Sequence, residues 1–182
     1  MKLVVNVDGG ARGNPGPAAV AAVAASESGE VLGERNAYIG EATNNVAEYR
    51  ALLLGLELAR DLGANEVEVV NDSELIARQV GGEYKVKHAG LKPLFLEAMR
   101  TLREFDSWAV NSVRREHNQL AWHAWTTENL RRSKKLTDVR KLYAREPREA
   151  RRRQTWQEML ALTRQWVAAS GGKINTPSNQ GT

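Results

Sequence analysis

Three acidic residues fall where strands or a helix would deliver them to one place. Asp8 follows the β-branched run LVVNV (3–7), and Asp72 closely follows a second such run, EVEVV (66–70). Glu48 lies in the early turns of a helical stretch that begins near Asn44. If the strands ending at Asp8 and Asp72 are neighbours in an open sheet, both aspartates leave it at the same edge. A helix packed over that edge can then aim Glu48 between them. Converging carboxylates repel one another unless a cation sits among them, and hard oxygen donors suit Mg²⁺ or Mn²⁺. Each acid also has a plainer reading as a cap or turn residue, because Asp8 precedes Gly9-Gly10 and Asp72 precedes Ser73-Glu74.

The elements that must carry these acids follow from the pattern. After LVVNV, the stretch GGARGNPGP reads as a turn-rich break. AAVAAVAA and VLGERNAYIG, separated by Ser26 to Gly29, read as an antiparallel hairpin. From Asn44 to Leu62 the apolar positions Val46, Ala47, Leu53, Leu54, Leu58 and Leu62 recur every three or four residues, which predicts a helix with Thr43 as its N-cap. EVEVV is a strand, SELIARQV a short helix, GGEYKVKH a loop, LKPLFLEAMRTLREF a helix and SWAVNSVRR a strand, with helix again near Asn118. Three strands, helix, strand, helices, strand, helix is an α/β order, a mixed sheet flanked by helices.

Composition divides the chain near one residue. With 182 residues and 42% hydrophobic content it has enough material for one well-buried core and too little for two full domains. Zero cysteines exclude disulfides and thiolate metal sites, which fits a reducing compartment. No apolar stretch approaches the ~18 residues of a membrane span, and no signal-like N-terminus is present, so a cytoplasmic protein without membrane contact is expected. Residues 122–182 hold 13 of the 26 Lys+Arg and 5 of the 22 Asp+Glu, a net +8, which leaves −4 for residues 1–121. Trp122, Trp125, Trp156 and Trp166 are four of the five tryptophans. The expected division is a domain over 1–130 and a basic extension over 131–182. That extension reads as helical to about Arg145, is interrupted at Pro147, is helical again over Arg151–Ala169, and ends in a disordered GGKINTPSNQGT.

The segments DGGARGNPGP, TNNVAEYRALLLGLELA and VVNDSELIARQVGGEYKV, in that order and separation, resemble the ribonuclease H family in its short bacterial and archaeal form. The resemblance covers residues 1–121, and TNNVAEYRALL is its most specific part. It implies a ribonuclease H-like α/β fold with five strands in the order 3-2-1-4-5. The implied activity is endonucleolytic hydrolysis of the RNA strand of RNA–DNA hybrids using two Mg²⁺ (or Mn²⁺) ions, and a monomer is expected. An Asp-Glu-Asp-Asp quartet holds those ions in the family, and Asp8, Glu48 and Asp72 match its first three members. Asp8 would bridge both ions, with Glu48 and Asp72 on the side of the attacking water. Gly9, Gly10 and Gly13 would let the backbone approach a nucleic-acid strand. Asn14, Asn44 and Asn45 would bond minor-groove base edges and ribose 2′-hydroxyls, although the same asparagines also read as turn and capping residues. Lys85 and Lys87 would meet phosphates or else lie on a solvated loop.

The fourth aspartate of that quartet belongs to the family pattern REHN-x-x-AD. This chain has Arg115, Glu116, His117, Asn118 and Ala121, and then Trp122. An indole offers one N–H donor and no ligand to a hard cation. On a helix Asn118 shares the face of position 122 and offers a carbonyl oxygen, whereas His123 is rotated by about 100° and offers a softer nitrogen. His117 matches a loop histidine that family members use in product release. None of the three equals a carboxylate. Three explanations of the break stand side by side: a competent enzyme with a water in place of the acid, a non-catalytic hybrid or double-stranded nucleic-acid binder, and a shifted reading frame from codon 122.

Overall fold

The computed structural model describes residues 1–114 and Asn118. Its elements run β1 (Lys2–Ala11), β2 (Gly16–Ser26), β3 (Val31–Ala42), α1 (Asn44–Asp61), β4 (Glu66–Asn71), α2 (Glu74–Val80), α3 (Lys92–Leu102) and β5 (Ser107–Ser112). The strands form one sheet in the order β3-β2-β1-β4-β5. β1 pairs antiparallel with β2 and β2 with β3, while β1 pairs parallel with β4 and β4 with β5. The α/β class and the strand order agree with the sequence reading. Among the described residues, no helix is long and apolar enough to cross a membrane.

β1 is paired along both edges, and its residues are buried on both faces, so its burial is continuous rather than alternating. Leu3, Val5 and Val7 point to the face where α1 packs, together with Val20, Ala22, Val67 and Val69. Val4, Val70, Ala25 and Val113 form a second buried cluster, which strand alternation assigns to the opposite face. The alanine-rich β2 keeps its side chains short, and α1 answers with Gly55. A Cβ there would stand 2.5 Å from Val7 Cγ1 and 3.0 Å from Val5 Cγ1. The missing side chain is what lets α1 lie close against β1.

Several boundaries differ from the sequence reading, among them the start of β2 at Gly16 and the end of β3 at Ala42. β1 does not stop before Asp8 but continues through Gly9 and Gly10 to Ala11, paired with Val20, Ala19 and Ala18. The turn proper is therefore Arg12–Pro15, with Gly13 at φ +97. α3 ends at Leu102 with Arg103 as its C-cap, short of Phe105, and β5 ends at Ser112. α1 matches closely: its N-cap is Thr43, whose hydroxyl accepts from Val46 N–H. Such a cap contributes about 1 kcal/mol. The expectations for residues 131–182, and for a helix beginning near Asn118, lie outside the described residues.

Candidate active site

Asp8, Glu48 and Asp72 line one pocket, and three elements deliver them. Asp8 sits in β1, Glu48 in the second turn of α1, and Asp72 just past the end of β4. β1 and β4 are parallel neighbours, so residues near their C-terminal ends emerge together. Val7, Ala51, Leu52 and Ile76 give the pocket an apolar floor, and Gly9, Asn71 and Ser73 complete its wall. Asp8 is 6% exposed, while Glu48 and Asp72 are half-buried.

Gly9 is the reason α1 can bring Glu48 so near. A Cβ on Gly9 would stand 2.2 Å from the Ala47 carbonyl oxygen and 2.9 Å from Glu48 N. The first turns of α1 thus rest directly on the β1 backbone, one residue from each acid. Glu48 is also held from the other side, where Ser73 Oγ donates to its Oε2 at 2.7 Å. Next along α1, Tyr49 is 0% exposed and its hydroxyl donates to Gln79 Oε1 at 2.7 Å. Burial, with a smaller contribution from the Glu48 charge, pushes the Tyr49 phenol up to about 12.

The asparagines build a second structure beside the acids. Asn44 Oδ1 accepts from the Ala11 backbone N–H at 2.8 Å, and Asn14 Oδ1 accepts from Asn44 N–H at 3.1 Å. The capping reading and the binding reading thus hold different atoms of the same side chains. The carbonyl ends fasten the 12–15 turn to the start of α1, and the amide NH₂ ends are the donors left to meet a ligand. Asn14, Asn44 and Asn45 are all exposed. Lys85 and Lys87 are exposed in the connection from α2 to α3, away from the pocket lining.

Among the described residues, no three carboxylate or imidazole groups stand close enough to hold one ion. The three acids line the pocket from separate elements rather than meeting at one point. Their donor set is entirely carboxylate oxygen, the set that suits a hard divalent cation. Asn118, the stand-in ligand suggested by helical spacing, is 1% exposed and its Nδ2 donates to the Val7 carbonyl at 2.8 Å. That bond ties it beneath the strand position preceding Asp8, and it does not line the pocket. His117, Trp122 and His123 lie outside the described residues. Ser73 was not singled out from the sequence, where a serine ahead of ELIARQV reads only as a helix cap.

Comparison with known proteins supplies the relatives. The family described as reverse transcriptase-like matches residues 6–124. The chain is 45% identical over 122 residues to the bifunctional protein Rv2228c of Mycobacterium tuberculosis, covering 66% of this chain and 34% of that protein. It thus spans about a third of the length of that relative. The solved N-terminal RNase H domain of Rv2228c is 44% identical with a TM-score of 0.66, over 68% of this chain and 95% of that one. RNase H1 of Halobacterium salinarum is 38% identical with a TM-score of 0.66, over 69% of this chain and 94% of that one. LC11-RNase H1, solved in complex with an RNA/DNA hybrid, is 44% identical with a TM-score of 0.63, over 66% of this chain and 91% of that one.

Proposed function

The chain belongs to the ribonuclease H family, and from that premise we propose that it is an endonuclease hydrolysing the RNA strand of RNA–DNA hybrids. One observation carries the reading: Asp8, Glu48 and Asp72, from three separate elements, line a single pocket beside the asparagine-tied turn. The acids would hold divalent cations, Mg²⁺ or Mn²⁺, which when bound supply Lewis acidity toward a phosphoryl oxygen and a more acidic water. The chain's own part is to gather negative charge where a phosphodiester and its cations must meet. Gly10 and Gly13 would let a nucleic-acid backbone approach, whereas the missing side chain of Gly9 is used by the packing of α1. Asn14, Asn44 and Asn45 present NH₂ donors, and every base pair shows acceptors in the minor groove, so contacts of this kind bind without reading sequence. Donation to the 2′-oxygen is available only on RNA.

Trp122 favours a second reading, in which the hybrid groove is kept and hydrolysis is lost. Cleavage and binding of one labelled hybrid, measured side by side in Mg²⁺ and in Mn²⁺, separate the two. The nuclease reading expects internal cuts in the RNA strand in at least one metal, and none in the DNA strand or in duplex DNA. Tight hybrid binding with no cut in either metal would establish the binder instead.

A further inference from the structure

Asn71, Asp72 and Ser73 form a turn closed by a side chain: Asn71 Oδ1 accepts from the Ser73 backbone N–H at 2.7 Å. An asparagine bonding the backbone two residues on is an Asx turn, which here sets Asp72 at the apex. The same turn directs Ser73 back over the pocket, where its hydroxyl donates to Glu48 Oε2 at 2.7 Å. Asn71 is 5% exposed and Ser73 8%, so water competes little with either bond. Two short bonds thus connect the end of β4 to a carboxylate on α1, passing around Asp72.

We propose that Ser73 is a positioning residue, whose hydroxyl holds Glu48 in a fixed relation to Asp72 so that the two acids meet a divalent cation as a prearranged pair. The inference rests on the reading of this pocket as a cation site. Glutamate reaches its carboxylate through three rotatable bonds, and an unrestrained side chain must be ordered when it takes up a ligand. A donor on one oxygen removes part of that freedom beforehand. Ser73 also caps α2, accepting from Ile76 N–H, but at 3.4 Å that bond is the longer of the two. A residue serving only as a cap would change stability and leave cation affinity alone. Removing a hydrogen-bonded partner behind a metal ligand costs affinity instead, typically about 10–100-fold.

The test is calorimetric titration of the full chain with Mn²⁺ alone, without nucleic acid, alongside thermal unfolding in chelator. Ser73→Ala should weaken Mn²⁺ binding by about tenfold or more, and Ser73→Thr, which keeps both the hydroxyl and the cap, should restore it. Tyr49→Phe removes the neighbouring α1–α2 bond to Gln79 and should lower the unfolding temperature without moving the affinity. Wild-type affinity in Ser73→Ala, or an equal loss in Tyr49→Phe, would overturn the proposal. Asp8→Asn serves as the reference: Mn²⁺ uptake by the wild type that disappears in Asp8→Asn establishes the cation site, and the Ser73 comparison then decides alone. A wild type that takes up no Mn²⁺ defeats the cation-site reading and this inference with it.

Discussion

Asp8 is nearly buried within a central strand, with Glu48 and Asp72 lining the same pocket. Like charges so placed oppose folding in the absence of a cation and attract one when it is present. Asp8→Asn removes one of the three charges at almost constant volume. Cleavage should vanish while the unfolding temperature in chelator stays level or rises; a variant that unfolds earlier and still cuts contradicts the assignment. Trp122 is the complementary case, since it stands where the family pattern has an aspartate. Trp122→Asp returns an oxygen ligand and should raise Mg²⁺-dependent hydrolysis by on the order of 10²-fold or more. The gain should be larger in Mg²⁺ than in Mn²⁺, because Mg²⁺ demands a near-ideal octahedral shell. An unchanged rate in both metals would show that position 122 has no part in holding the cations.

The packing of α1 on β1 decides how near Glu48 comes to Asp8, and Gly9 permits it. Gly9→Ala forces the start of α1 off the strand, which should cost about 1–3 kcal/mol of stability in urea unfolding and most of the activity. Wild-type activity in that variant would show that the close approach is dispensable. On the other side of α1, the phenol of Tyr49 is pushed up to about 12 from its ordinary 10, so the folded state favours the neutral form. Its contribution is complete below pH 10 and is lost as pH rises toward 12. Alkaline titration of stability should therefore fall more steeply in the wild type than in Tyr49→Phe over that window; parallel curves would refute it. The helix carrying Glu48, its Thr43 cap and the two strands that deliver the aspartates were legible because apolar period and capping chemistry are local. Gly9 and Gly10 misled, because adjacent glycines normally punctuate a chain, and the need for Gly9 inside β1 comes from a helix backbone met only at Ala47. The Ser73–Glu48 bond spans 25 residues and leaves no local pattern at all.

For the chain as a whole, charge is divided as sharply as motif content, with +8 over residues 122–182 against −4 before them. A basic segment in the same chain as an acidic pocket would serve binding rather than chemistry, through neutralised phosphates that release counterions. Truncation after Ser133 should therefore weaken duplex affinity and flatten its salt dependence, with the log–log slope falling by ~0.9 for each phosphate the shortened chain no longer neutralises. An unchanged slope would assign the extension a role other than binding phosphates. The claim on which all of this depends is that the Asp8, Glu48 and Asp72 pocket hydrolyses RNA paired to DNA. It is tested most directly by incubating a hybrid, end-labelled on its RNA strand, with the 182-residue chain and with Asp8→Asn, in Mg²⁺ and in Mn²⁺. The predicted result is internal RNA cuts by the wild type in at least one metal and none by Asp8→Asn. Equal cutting by both proteins, or intact RNA in both metals under saturating binding, would contradict it.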